Sequence, residues 1–236
     1  MGVLSNTEIR AGLDCGDIVI DPFNAAHLNT TSYDVTLGRY FFKAGTEPAD
    51  TLYNPYDSAA VDKHFGDVME AEPFSEHRKI AANLGLRGLN NLDPQQRVII
   101  LRPGERILGH THEFIGIRNR GTTSMQARST TGRNGIAVCF DAGWGDTGYT
   151  DRWTMEIMNV NETHVVLPEG IRIAQIVFHH TGVVLSDYTK ISGKYTPATN
   201  LDDIKRAWRP ENMKPKAFKD TIQPLPELDG LGEGIV

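Results

Sequence analysis

Cysteine is nearly absent: Cys15 and Cys139 are the only two in 236 residues. Two thiols so far apart cannot frame a disulfide scaffold or a cysteine-rich zinc site, and they suit a reducing, cytoplasmic setting. An excess of positive charge is missing too. The 24 Lys and Arg are outnumbered by 30 Asp and Glu, for a formal net charge of −6. That argues against a nucleic-acid binder, which needs a basic footprint. It leaves room for a small anion held by a local group of cations. No apolar run approaches the roughly 18 residues of a membrane span. The start, Met1-Gly2-Val3-Leu4-Ser5, has no charged stretch ahead of an apolar core, so neither a membrane partner nor a secretory signal is expected. Repeats with a period of about 20–50 residues are absent.

What is present reads as a mainly β chain. Ser5-Asn6-Thr7-Glu8 forms a capping box ahead of Ile9 and Leu13, with Gly16 as a stop, which predicts one short N-terminal helix. Short extended runs follow at Ile18–Ile20, Tyr33–Leu37, Tyr40–Phe42, Val98–Leu101, Arg106–Gly109, Phe114–Ile117, Thr154–Met158, His164–Leu167 and Ile171–Phe178. Gly, Pro and Asn punctuate them at a spacing of about 8–12 residues, which predicts a β sandwich or barrel rather than βαβ units. Pro103-Gly104 and Glu169-Gly170 read as hairpin turns. Residues 44–97 break the rhythm with four prolines and a helix-compatible patch at Ala59–Phe65, and read as an insertion. The expected layout is one domain over 1–208 and a Pro/Gly-rich tail over 209–236.

Chemistry concentrates in residues 128–159. Arg128 and Arg133 bracket Ser129, Thr130, Thr131 and Gly132, so two guanidiniums and a run of backbone amides could hold a phosphate chain. The same residues also read as an ordinary helix start with two solvated arginines. Asp146, between Gly145 and Gly148, is either a turn former or a functional acid. Glu156 stands in the apolar run Trp153-Thr154-Met155-Glu156-Ile157-Met158, where period two places it on one face with Thr154 and Met158. A carboxylate there has lost solvent; it is either a salt-bridged structural group or an acid–base catalyst.

Two metal readings fall short. His110-Thr111-His112-Glu113, with His179-His180 downstream, resembles a cupin ligand set, but the adjacent Glu113 would point to the other strand face, and hydrogen-bonded strand histidines are the plainer reading. A zinc deaminase needs His-x-Glu with Pro-Cys-x-x-Cys, which Cys15 and Cys139 cannot supply.

Three blocks together resemble the deoxycytidine triphosphate deaminases of the trimeric dUTPase superfamily. They are Arg128-Ser129-Thr130-Thr131-Gly132-Arg133-Asn134-Gly135, Ala142-Gly143-Trp144-Gly145-Asp146-Thr147-Gly148-Tyr149 and Thr154-Met155-Glu156-Ile157-Met158-Asn159. Flanking matches are Ser32–Gly38, Leu101–Glu105, Leu167–Gly170 and Gly193-Lys194-Tyr195. The sequence departs from the family pattern at Asp141, where Thr is common, and at Ala198, where Gln is usual. The resemblance implies a distorted β-barrel, a homotrimer with shared active sites, and zinc-free deamination of dCTP with Mg²⁺ carried on the nucleotide phosphates. It implies that Glu156 moves protons and that Ser129 and the Ala142 carbonyl position water. Arg133 would stabilise charge and, with Arg128, hold phosphate. Asp146 would contact deoxyribose or activate water. Tyr188 and Lys194 would close over the nucleotide, and Thr130, Thr131, Gly132, Trp144, Thr154 and Met155 would line the site. The Ala-Gly-Trp form is that of the dUMP-forming members, which also release pyrophosphate. A plain dUTPase, which typically lacks the Glu, and a nucleotide-binding relative without turnover are the alternatives.

Overall fold

The structure is a computed structural model and describes residues 2–45, 51–83, 90–140, 142–188, 190, 194–195 and 200–223. Its strands are β1 (Ile18–Asp21), β2 (Tyr33–Thr36), β3 (Tyr40–Lys43), β4 (Met69–Glu70), β5 (Glu72–Pro73), β6 (Arg97–Leu101), β7 (Arg106–Ile117), β8 (Gly121–Ala127), β9 (Ile136–Ala137), β10 (Trp144–Gly145), β11 (Thr150–Asn159), β12 (Val165–Pro168) and β13 (Arg172–His180). Helices are α1 (Asn6–Cys15), α2 (Ser58–Phe65), α3 (Phe74–Asn83), α4 (Ser129–Arg133) and α5 (Leu201–Ala207). The strands pair into three antiparallel sheets. A six-stranded sheet runs β4-β3-β7-β11-β9 with β1 also on β7, a four-stranded sheet runs β10-β8-β13-β2, and a three-stranded sheet runs β12-β6-β5. The expected mainly β class is found. The expected barrel takes the form of these three sheets, and no closed ring is formed among the described residues.

Local chemistry explains the first helix. The Ser5 side chain accepts from the Glu8 N–H while Glu8 accepts from the Ser5 N–H, and Gly16 ends the helix at φ 82°. Several sequence expectations need correction. β8 was not anticipated, because Gly121-Thr122-Thr123-Ser124 shows no apolar alternation. Thr122 and Thr123 are buried nonetheless, and both hydroxyls donate to the Gly145 carbonyl. The runs at 106–109 and 114–117 are one strand, β7. Its pairing with β11 shifts register between Arg152 and Thr154, and Thr111 Oγ1 accepts the Trp153 N–H at 2.9 Å there. The turns at Pro103-Gly104 and Glu169-Gly170 are not hairpins. β6 and β7 lie in different sheets, as do β12 and β13, so each turn passes the chain between layers.

The main core sits between the sheets, with Tyr33, Leu37, Ile107, Ile115, Met155, Ile157 and Phe178 fully buried. Two smaller clusters cover the outer face of the six-stranded sheet. One joins Phe42 and Leu108 to Val61 and Phe65 of α2 and to Met213. The other joins Phe114 to Ile204 and Trp208. So residues 201–213, including part of the stretch read as a tail, return to the body, and each such side chain contributes about 1.5–3 kcal/mol of burial. The 44–97 insertion is more than a loop, since it supplies α2, β4, β5 and α3. Among the described residues no helix is long and apolar enough to cross a membrane.

Candidate functional site

β11 shows the period-two burial that its sequence predicts. Trp153, Met155, Ile157 and Asn159 are buried, whereas Arg152, Thr154, Glu156 and Met158 are half-buried on the other face. Register sets the neighbours of that outer face. Glu156 lies opposite Leu108, and Leu108 lies opposite Phe42 on β3. Thr154 lies opposite His110. Glu156 Oε2 is shut off from solvent. Met155, expected to line the site, is 0 % exposed on the core face, so only its main chain can reach a ligand. Among the described residues β11 pairs with β9 only at Met158 and Asn159, which leaves the backbone edge at Thr154 and Met155 open for such a contact.

His110 is a structural histidine. Its Nε2 accepts the Tyr40 N–H at 3.2 Å, and that fixes Nδ1–H as donor to the Thr111 carbonyl at 2.8 Å. Burial pushes its pKa down to about 3, so it is neutral. Glu113 accepts from the Thr36 N–H and hydroxyl, both at 2.9 Å. Both are committed to the fold rather than grouped as ligands.

Arg128 opens α4 and is paired rather than free in solvent. Its Nε pairs with Asp34 Oδ2 at 3.0 Å, and Arg172 reaches the same oxygen at 3.3 Å. Asp34 is 2 % exposed and also accepts from Asn29 Nδ2 at 2.9 Å. This buried carboxylate fixes two guanidiniums beside a cavity of about 500 Å³ that Thr130, Thr131 and Asn134 also line. Ser129, Thr130, Gly132 and Arg133 are exposed and Thr131 is buried. Sequence reasoning missed the roles of Asp34 and Arg172. The signal was present: an Asp in Tyr33-Asp34-Val35 is as anomalous as the Glu at 156.

Asp146 is exposed in a turn closed by the Tyr149 N–H on its carbonyl at 3.0 Å. This turn links β10 and β11, which belong to different sheets. Gly145 is required there, since a Cβ would lie 2.4 Å from the Trp153 ring. Ala142 is exposed and Trp144 lies over His179, with ring centroids 6.2 Å apart. Tyr188 docks on the turn: its N–H donates to the Thr147 carbonyl at 2.8 Å and its ring meets Tyr149 edge-on at 5.2 Å. The Tyr195 N–H donates to the Tyr188 hydroxyl, and Lys194 pairs with Asp220. Next to this group, burial pushes the Asp151 carboxyl up to about 7 against the pull of its hydrogen bond to the Arg152 N–H and of Lys216. Asp141 and Ala198, the two departures noted in the sequence, lie outside the described residues.

The candidate groups therefore occupy three places: Glu156 and Thr154 on the outer face of β11, Ser129 and the arginines on α4, and Asp146, Tyr188 and Lys194 around the β10–β11 turn. Cys15 and Cys139 lie on α1 and after β9, and no group of three His, Cys, Asp or Glu among the described residues is arranged to hold a metal.

A family model described as dCTP deaminase-like matches residues 3–181. The chain is 33 % identical over 203 residues to a protein of Methanopyrus kandleri named dCTP deaminase, dUMP-forming, covering 83 % of this chain and 91 % of that one. A protein of the same name from Beutenbergia cavernae is 31 % identical over 176 residues, covering 75 % and 78 %. The solved 2'-deoxycytidine 5'-triphosphate deaminase of Agrobacterium tumefaciens superposes with a TM-score of 0.53 at 17 % identity, over 78 % of this chain. This chain spans half the length of that one, and the likeness concerns the fold.

Proposed function

Because the chain belongs to the dCTP deaminase-like family, we propose that it converts dCTP to dUMP in two hydrolyses, dCTP and water giving dUTP and ammonia, then dUTP and water giving dUMP and pyrophosphate. The observation that carries the first step is Glu156, a carboxylate whose Oε2 is out of solvent on a half-buried strand face. A carboxylate within reach of the attacking water can serve first as general base and then as general acid. Glu156 takes a proton from water as the oxygen adds to the ring carbon bearing the amine. It then returns the proton toward the ring nitrogen and the departing ammonia. Ser129 and the Ala142 carbonyl hold that water, and Arg133 meets the developing charge. The open backbone edge at Thr154 and Met155 reads the base, with Trp144 beside it.

Asp34 holds Arg128 and Arg172 ready for phosphate oxygens, with Thr130, Thr131 and Gly132 alongside. Asp146 contacts the deoxyribose and activates the water that attacks the phosphate chain, while Tyr188 and Lys194 close over the nucleotide. Mg²⁺ enters on the phosphates; the donor set suits this, since no acidic cluster among the described residues forms a cage. The placement of Glu156 and Ser129 on separate elements fits a homotrimer in which neighbouring chains complete one site. The setting is cytoplasmic.

Offering dCTP, dCMP, CTP and dUTP separately tests this, with ammonia and pyrophosphate both measured. Equal ammonia and pyrophosphate from dCTP, and pyrophosphate from dUTP, are expected. Asp146→Asn should suppress pyrophosphate more than it weakens dUMP binding. Ammonia without pyrophosphate would limit the protein to deamination. Turnover of dUTP alone would make it a dUTPase, and no turnover a binding relative.

A further inference from the structure

Where the insertion leaves β3, its helix α2 ends beside the Pro103-Gly104 turn between β6 and β7, and the two bound a cavity of about 640 Å³. That lies within the roughly 300–1,000 Å³ of small-molecule sites. None of its lining residues is among the groups placed around the nucleotide. Charge sets it apart. Lys43, Lys63, Arg102 and Arg106 line it against one acid, Glu105, a local positive excess on a chain whose formal net charge is −6. Glu105 is committed to the frame: one oxygen pairs with Lys43 Nζ at 2.8 Å and the other accepts the Arg102 N–H at 2.8 Å. Among the described residues no carboxylate forms an ion pair with the side chains of Lys63, Arg102 or Arg106. A cleft lined by one sign of charge concentrates ions of the other.

The walls are fixed without a ligand. Phe65 anchors the end of α2 in the cluster with Phe42 and Leu108, and Lys214 ties the same helix through Asp62 at 2.9 Å. Gly45 lets the helix end close in on β3, since a Cβ there would lie 2.6 Å from the His64 carbonyl oxygen. On the other wall the turn is held to β11: the Gly104 N–H donates to the Asn159 carbonyl at 2.9 Å and the Asn159 N–H to the Glu105 carbonyl at 3.1 Å. We propose that this cavity is an anion site for a ligand carrying two or three linked phosphates, separate from the proposed nucleotide site. The guanidiniums of Arg102 and Arg106 supply forked donors for phosphate oxygens, and Lys63 adds a point charge from α2. A single phosphate, with a charge of about −1.5 to −2 at neutral pH, would leave part of the three unpaired cations unmatched; a diphosphate or triphosphate would not. The site stands independently of the proposed deamination.

The full chain is titrated calorimetrically with pyrophosphate, tripolyphosphate and ATP, without magnesium, as wild type, Arg102→Gln, Arg106→Gln, the double variant of these two, Arg106→Lys, Lys63→Gln and Arg133→Gln. Arg102, Arg106 and Lys63 are exposed, so their variants should melt near wild type in the absence of anion. Arg102→Gln and Arg106→Gln should each weaken one binding event about tenfold or more. Lys63→Gln should weaken it less, Arg106→Lys should keep more of it than Arg106→Gln, and Arg133→Gln, on α4, should leave it unchanged. Its affinity should fall as salt rises from about 0.01 to about 0.15 M, where the screening length shrinks from about 30 to about 8 Å. Equal affinity for tripolyphosphate and ATP upholds a site that reads the linked phosphates alone; tighter binding of ATP upholds a site that reads the nucleoside as well. No binding of any of the three anions at low salt, or binding of equal strength in wild type and in the double variant, overturns the site. Binding that behaves as stated in a protein that releases no ammonia from dCTP upholds the site and removes the deaminase reading instead.

Discussion

On one face of β11, Trp153, Met155, Ile157 and Asn159 are sealed in the core; on the other, Arg152, Thr154, Glu156 and Met158 stay half-buried beside Phe42, Leu108 and Phe114 of β3 and β7, which α2 and the C-terminal segment cover. Neighbouring residues thus serve opposite ends. Met155 anchors the backbone by packing, and Glu156, one residue on, is held by that anchored backbone with its Oε2 shut off from solvent. A strand with a solid core on one side presents its other face with little freedom, which proton transfer within hydrogen-bond reach requires.

Substitutions on the two faces should therefore fail in different ways. The largest expected effect is at Glu156→Gln, which should cost about 10²–10⁴ in deamination rate with a melting temperature near wild type. Loss of folding there would break the comparison. Met155→Ala should do the reverse: deleting a fully buried side chain costs about 2–5 kcal/mol of stability, read by denaturant unfolding, while Glu156 stays in place. Asp151→Asn comes next. Asp151 is pushed from 3.8 up to about 7 in the folded chain, so the folded state holds its proton more tightly than the unfolded state. Stability is then drained as pH rises from about 4 through about 7 and stays lost above. The Asn variant should be more stable than wild type at pH 8, by on the order of a few kcal/mol, and the gap should close toward pH 4. The smallest effect is expected from a zinc chelator followed by added magnesium. Turnover should not change, because Cys15 and Cys139 cannot supply a Cys-x-x-Cys pair; stoichiometric zinc lost together with activity would revive a metal site.

Sequence legibility followed the range of the interactions. The capping box of α1 and the alternation of β11 were readable because both are set by residues within a few positions of one another. β8 was not, since its threonines are buried by hydroxyl bonds to the distant Gly145 carbonyl rather than by apolar side chains. Turn chemistry at Pro103-Gly104 predicted a reversal but not which sheets it joins. Asp34 stood inside a quoted motif, but its work depends on Arg128 and Arg172, which only the fold brings near. α5 went unread inside the expected 1–208 domain, being only seven residues long, although Asn200 accepts from the Asp203 N–H at 2.9 Å as its cap. The family blocks were legible as a set, yet Met155 shows that membership in such a block does not put a side chain in the site.

The central claim is that Glu156 serves the base and Asp146 the phosphates. It is tested most directly by giving one preparation of Glu156→Gln dCTP and dUTP side by side, with ammonia and pyrophosphate followed in each. The account predicts no ammonia from dCTP above about a hundredth of the wild-type rate, with pyrophosphate still released from dUTP. Ammonia at the wild-type rate, or loss of both products in a protein that folds and binds nucleotide normally, would contradict it.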